Sequence, residues 1–193
     1  MLTVDLADRF SIFRDPTMTE HNGDDDIDPT LPEVVQDFLR SGAELQEIRL
    51  DGRGTWTHEG LSFENPRILE LFSRSVDRTE GGTWVLEVGR FTYPITVEDT
   101  GFFVESVDWS TSPPTLHISD ETIEELDVDT LEYRPGGRLY CEIKDGDFRA
   151  RFKRSAYHSI TEYLGEDDGQ IVATIDGDTA VLAALDDLDE EPS

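Results

Sequence analysis

The stretch 139-LYCEIKDGDFRARF-152 decides the fold. Asp145-Gly146 is a strong hairpin signal, because a tight two-residue turn needs φ > 0 at both central positions, which Asp tolerates and Gly favours. Pairing Lys144 with Asp147 sets Ile143 opposite Phe148, Cys141 opposite Ala150 and Leu139 opposite Phe152, so one face is apolar along its whole length. The other face sets Glu142 against Arg149 and Tyr140 against Arg151, pairs of the kind that stabilise neighbouring strands. A slip of one residue would turn the apolar set outward, so the pattern specifies the register.

Downstream, Ser155 is placed to cap a helix in which Ala156, Ile160, Tyr163 and Leu164 line one face, and "GEDDG" at 165–169 ends it. A further hairpin runs from Ile171 to Leu182 about Asp176-Gly177. The earlier chain has the same order of elements. Ile48 and Leu50 lead into "DGRG" at 51–54, and Trp56 and His58 leave it. In "FENPRILELF", Asn65 is an N-cap, Pro66 takes the first helical position, and Ile68, Leu71, Phe72 and Val76 follow helical spacing. "EGGT" breaks the chain. Then Trp84 to Val88 and Phe91 to Val97 form a hairpin about Gly89-Arg90, with Leu86 opposite Tyr93 and Trp84 opposite Ile95. "LPEVVQDFLRSG" at 31–42 reads as a short helix with Pro32 in its first turn, a stripe of Val34, Val35, Phe38 and Leu39, and Gly42 at its end.

Each half thus reads hairpin, helix, hairpin. The turn glycines Gly54 and Gly146, and Gly89 and Gly177, recur about 90 positions apart, with an aromatic two residues after Gly54 (Trp56) and after Gly146 (Phe148). The expected class is α+β: two related halves, each with antiparallel sheets, sharing one core and leaving a groove where they meet. The expected organisation is a flexible or loosely docked segment over 1–30, an N-terminal half over 31–109, a linker at 110–115 within "WSTSPPT", a C-terminal half over 116–185 and an acidic tail at 186–193. Within the first segment, Leu2, Val4, Leu6, Phe10, Ile12 and Phe13 could dock, "HNGDDDIDPT" is a linker, and Met18 is an alternative start.

Composition narrows the function. The 193 residues suit one domain or two small halves. Asp and Glu number 44 against 16 Lys and Arg, a formal charge of −28, which disfavours duplex DNA and anionic membranes as partners. Of the basic residues only Lys144 and Lys153 are lysines. An Asp-rich, Lys-poor surface suits a salt-adapted protein, since molar salt shortens the Debye length to about 3 Å and screens self-repulsion. No apolar run approaches the roughly 18 residues of a membrane helix, and the N-terminus lacks a signal-peptide pattern, so a cytoplasmic setting is expected. Cys141, the one cysteine, is expected to be a small buried apolar residue.

The residues that could carry chemistry are few. "FRARFKRS" at 148–155 is the one basic island; strand neighbours account for Arg149 and Lys144 and partly for Arg151, leaving Lys153 and Arg154 at the helix entrance as a possible anion site. His21, His58, His117 and His158 have neither the i, i+4 spacing nor the cysteine company of a zinc site, and His58-Glu59 does not continue as HExxH. Neither "EGGTW" nor "RPGGRL" matches a phosphate loop, and no GxSxG elbow is present. In 92-TYPITVEDTGFFV-104, Asp99-Thr100-Gly101 has turn chemistry, with Asp99 as the turn-former between two strands, and Glu98 faces away from the core.

Three segments, "IRLDGRGTWTHEGLSFENPRILELF", "GGTWVLEVGRFTYPITVEDTGFFV" and "GDFRARFKRSAYHSITEYL", resemble the bacterial DUF1285 family of unknown function. The matching positions are Asp51, Gly52, Trp56 and Gly60; Leu71 and Phe72; Val97, Glu98, Asp99 and Phe102; and Ala150, Arg151 and Arg154. The likeness runs over about residues 45–185. The chain departs from the pattern by the extra Arg53 and Gly54, by Thr100-Gly101 in place of Ala-Pro, and by Phe148-Arg149 in place of a leucine step; 110–135 has no match. The resemblance implies an α+β fold of two related halves and a role in signalling or regulation through a ligand site between them. It brings no catalytic residues.

The first functional reading is a non-enzymatic ligand-binding or regulatory module, with a site lined by Trp56, His58, Glu98, Arg151, Arg154 and Tyr157 and a small molecule or a protein as partner. A second is a metal-assisted hydrolase using His58 with Glu98 or Asp99. A third is a protein-interaction module. Nothing in the sequence names a cofactor or an oligomeric state.

Overall fold

The computed structural model describes residues 27–42, 45–134 and 136–185. The expectations for 1–26, with His21 and Met18, and for the tail 186–193 lie outside the described residues.

The first element is α1 (Glu33–Arg40). Leu31, just before it, is buried and anchors the segment, whereas Val34 is 74% exposed, so the expected stripe loses its first member. Next come β1 (Ile48–Leu50), β2 (Trp56–His58) and β3 (Leu61–Ser62), paired antiparallel in turn, with Leu50 opposite Trp56. The "DGRG" loop closes because Asp51 Oδ1 accepts the amides of Arg53 and Thr55, each at 2.8 Å, and Gly54 takes φ +82°. In α2 (Pro66–Arg74) Asn65 Oδ1 accepts the Arg67 amide at 3.0 Å, as a cap should. Phe72, at its core face, meets Trp56 and Phe63 edge-on at 5.3 and 5.2 Å. The helix stops at Arg74, so Val76 belongs to the following strand.

That strand, β4 (Val76–Arg78), joins β5 (Trp84–Val88) and β6 (Phe91–Pro94) in a three-stranded meander with Val88 opposite Phe91 and Leu86 opposite Tyr93. The second hairpin strand is shorter than expected. After Pro94 the chain peels away, and β7 (Thr96–Val97) pairs parallel with β1. The acids after it therefore do not close a hairpin. The next strand, β8 (Phe102–Asp108), enters a different, seven-stranded sheet.

There β8 pairs antiparallel with β9 (Thr115–Ile118), which pairs with β10 (Ile123–Glu125). The expected linker at 110–115 is thus the connection of an antiparallel pair. A 3-10 turn at Val128–Thr130 leads to β11 (Glu132–Arg134), β12 (Arg138–Ile143) and β13 (Phe148–Phe152). The register of β12 and β13 is the expected one: Ile143 opposite Phe148, Cys141 opposite Ala150, Glu142 opposite Arg149, Tyr140 opposite Arg151. Its ion pairs lie elsewhere: Arg149 Nε binds Glu132 at 2.5 Å, and Lys144 binds Asp120 at 2.6 Å. The two parts of the seven-stranded sheet join where Phe102–Val104 of β8 runs parallel to Ala150–Phe152 of β13; of these residues all but Arg151 are buried.

In α3 (Arg154–Ile160), Ala156 and Ile160 face the core. Ser155 does not cap it; its hydroxyl donates to the Glu105 carbonyl at 3.0 Å. Tyr163 and Leu164 fall beyond the helix, and 165–169 belongs to an extra hairpin rather than a helix end: β14 (Leu164–Asp167) pairs with β15 (Gln170–Ile175). β16 (Asp178–Val181) completes a second meander across Asp176-Gly177, both at positive φ, and β17 (Ala183–Ala184) runs parallel to β11. The class is α+β. The four-stranded sheet has the order β3-β2-β1-β7, and the seven-stranded sheet ends β13-β12-β11-β17.

Candidate functional site

Asp99 sits on the link between β7 and β8 and is buried, its side chain 7% exposed. Its carboxylate accepts from Arg134 Nη1 at 3.0 Å, from Arg151 Nη1 at 3.0 Å, and from the Tyr140 hydroxyl at 2.9 and 3.1 Å. The expected turn-former is thus a junction between β11, β12 and β13. Thr100 holds the turn instead, its hydroxyl donating to the Arg149 carbonyl. Burial first, and then donation to Asp99 and the charge on it, raise the Tyr140 pKa, so the phenol stays a donor. The Arg134 guanidinium also lies 5.1 Å over the Tyr140 ring.

The charges here do not balance. Two guanidiniums share one carboxylate, and Arg134 Nε is buried without an acceptor. Interior charge is costly unless compensated, so the cluster holds a surplus positive charge on its Arg151 and Arg134 sides.

Arg151 carries that surplus to the surface. It also donates to the Gly52 carbonyl and lines an open groove of about 740 Å³. The β1–β2 loop brings Gly52 and Arg53 to one wall; the end of β13 and the start of α3 bring Lys153, Arg154 and His158 to the other. The loop approaches closely: a Cβ on Gly54 would lie 3.2 Å from Lys153 Cε and 3.3 Å from the Phe103 ring. Lys153 is spent on Glu105 at 2.6 Å. Arg53 and Arg154 are exposed, and neither side chain meets an acceptor among the described residues. In a chain of net charge −28 this groove is a local reversal of sign.

The expected site residues divide. Arg151 and Arg154 meet in the groove. Glu98 stands beside it, accepting from Arg49 Nη1 at 2.7 Å and from the Gly52 amide at 3.1 Å. Trp56 is core: 3% exposed, its Nε1 donating to Ser73 Oγ at 3.3 Å. His58 Nδ1 lies 3.0 Å from the Glu47 carbonyl, at a strand end. Tyr157 lines a different cavity. Sequence reasoning missed Asp99, Arg134, Tyr140 and Arg53 as members of one site. The pairing of Tyr140 with Arg151 was the one available signal, because it put two of them on the same strand face. The acids that a hydrolase would need are engaged with guanidiniums, and among the described residues no group of three or more His, Cys, Asp or Glu side chains could hold a metal ion.

Two solved structures are similar to this chain. One, a DUF1285 family protein from Silicibacter pomeroyi DSS-3, superposes with a TM-score of 0.56 over 72% of this chain and 80% of that one, at 18% identity. The fold is DUF1285-like. The second, a DUF1285 family protein from Shewanella baltica OS155, covers 61% of this chain and 91% of its own, at 16% identity and a TM-score of 0.47. No family model and no curated protein matches the sequence. The DUF1285 likeness drawn from the short motifs therefore holds at the level of fold. The extra residues Arg53 and Gly54, where the chain departs from the motif pattern, both meet the basic groove: Arg53 lines it, and Gly54 packs on Lys153.

Proposed function

We propose that the chain is a ligand-binding, regulatory module of the cytoplasm, and that the groove beside Arg151 takes an anionic small molecule bearing a phosphate or several carboxylates. The observation that carries this reading is the surplus of guanidinium over carboxylate at Asp99, continued to the surface by Arg53 and Arg154, which have no acceptor among the described residues. A phosphate or polycarboxylate offers acceptors that forked guanidinium donors match in pairs. We also infer that the two halves are copies of one unit. In support, β3-β2-β1-β7 and β13-β12-β11-β17 have the same order, each followed the same course through a helix and a three-stranded meander. The amide of Glu98 donates to the Leu50 carbonyl as that of Leu185 does to the Tyr133 carbonyl. On this alignment Gly146 corresponds to Gly60 rather than Gly54.

The test is calorimetric titration with pyrophosphate and citrate at low ionic strength, with thermal melting alongside. The expected result is saturable binding and a raised melting temperature, both lost in the Arg53→Ala/Arg154→Ala double variant, whose unliganded melting temperature is unchanged because those side chains hold nothing. Equal binding by the double variant, or none by the wild type, would overturn the reading.

A further inference from the structure

A second cavity, of about 220 Å³, lies beneath the turn between β11 and β12. Leu139, Leu164, Ile171 and Leu182 give it aliphatic walls, and Tyr133, Arg134, Arg138 and Tyr157 add polar groups. Gly136 and Gly137 cross its rim at φ +91° and +79°, where a side chain would be strained, so the rim is bare backbone. Liquid water takes about 30 Å³ per molecule, so the space suits a single ring or a short branched chain.

Two side chains at this cavity have a donor left unused among the described residues. Arg134 is buried, and while its Nη1 is held by Asp99, its Nε–H has no acceptor. The Tyr157 hydroxyl donates to no group among the described residues, and a Cβ on Gly137 would lie 3.8 Å from it. A buried donor left unmatched beside aliphatic walls is what a binding pocket looks like before its ligand arrives. The surplus positive charge of the Asp99 cluster selects an anion over a neutral acceptor.

We infer that this cavity is a binding site for a small monocarboxylic acid with an apolar body, its carboxylate taken by Arg134 and Tyr157 and its body by the aliphatic walls. The site is separate from the basic groove; Asp99 lies between them, with Arg134 on one side of that carboxylate and Arg151 on the other. Apolar burial supplies the affinity, and the matched donors supply the discrimination, because an analogue lacking the carboxylate leaves Arg134 unpaired.

Benzoate is the probe, with benzyl alcohol as its neutral counterpart, both titrated against the full chain by calorimetry. Benzoate is expected to bind with one site, and benzyl alcohol at least tenfold more weakly. Tyr157→Phe should weaken benzoate severalfold. Ile171→Trp, which fills the space from its half-buried rim, should abolish benzoate binding while leaving the pyrophosphate titration of the groove unchanged. Equal binding of benzoate and benzyl alcohol, or benzoate binding that survives Ile171→Trp, overturns the inference. Because pyrophosphate reports the groove alone, benzoate binding without pyrophosphate binding would sink the groove reading and keep this one.

Discussion

The surface cluster around Glu98 and the interior cluster around Asp99 share a peptide bond and little else. Glu98 is 41% exposed and its partner Arg49 42%; together they tie the β7 end to the β1–β2 loop through water-facing contacts. Asp99 is 7% exposed and ties the same link to three strands of the seven-stranded sheet. Two acids, one residue apart, therefore differ in how much the fold depends on them, because the same Coulombic contact is screened in one place and not in the other.

Removing the inner acid should have the largest effect. Asp99→Asn leaves Arg134 and Arg151 facing each other without a counter-charge. Losing one partner of a buried pair costs about 3–5 kcal/mol. Urea unfolding should show a midpoint lowered accordingly. Tyr140→Phe, which deletes one hydrogen bond and no charge, should cost only about 1 kcal/mol. If the two variants were equally mild, Asp99 would be an ordinary turn residue after all.

The turn two residues on gives the next largest effect. Gly101 is not at positive φ; it is small because Trp84 and Val76 press on it. An added Cβ would come within 2.6 Å of the Trp84 ring and 2.7 Å of Val76 Cγ1. Gly101→Ala should therefore cost about 1–3 kcal/mol through overpacking. Near-ultraviolet circular dichroism should report the displaced Trp84, whose ring lies tilted against Phe148 at 5.9 Å. An unchanged spectrum and midpoint would show that the meander yields freely there.

Glu98→Gln should be mild. An exposed ion pair contributes about 0.2–1 kcal/mol and fades with salt. The difference between wild type and variant in urea should shrink in molar KCl, while most of the Asp99→Asn deficit persists, since the Asp99–Arg134 pair is buried and little screened. Over the same range the wild-type melting temperature should rise, because the −28 surface repels itself least when screened. A melting temperature that falls steadily with KCl would argue against salt adaptation.

What the sequence made readable follows from where the information lies. The register of β12 and β13, the Asn65 cap and the Asp176-Gly177 turn are local, and each was specified by residues within a few positions of one another. The parting of β6 and β7 and the parallel pairing of β8 with β13 were not, because they depend on partners far along the chain. The same holds for the site. Arg151 and Arg154 were legible as a basic island in one segment. Asp99 looked like a turn because Asp-Thr-Gly is turn chemistry wherever it occurs. Its true partners, Arg134 and Tyr140, lie 35 and 41 positions downstream. Trp56 and His58 were drawn into the expected site by sharing a strand face, yet that face packs on α2 at the first position and meets the Glu47 backbone at the second.

A third carboxylate, Asp28, sharpens the contrast between exposed and buried acids. It clasps the segment before α1 to the β4–β5 turn: Thr30 and Thr79 donate to it, and the Gly81 amide donates to Thr30 Oγ1 at 2.9 Å. The hydrogen bonds from Thr30, and then those from Thr79 and Thr83, hold the Asp28 pKa well below the usual carboxylate value. A depressed folded pKa means that the clasp contributes fully above the unfolded value of about 3.9, and that its contribution is lost as pH falls through the lower folded value. The effect should be local and the smallest of the set, since Asp28 is only partly buried and lies outside the core. The amide resonance of Gly81 should move at acid pH before the core amides of β8 do. Thr79→Ala removes one of the bonds that depress the pKa and should bring that movement to a higher pH. A Gly81 midpoint that is the same in both proteins would mean that Thr79 does not hold the clasp, and that α1 stays in place through the burial of Leu31 alone.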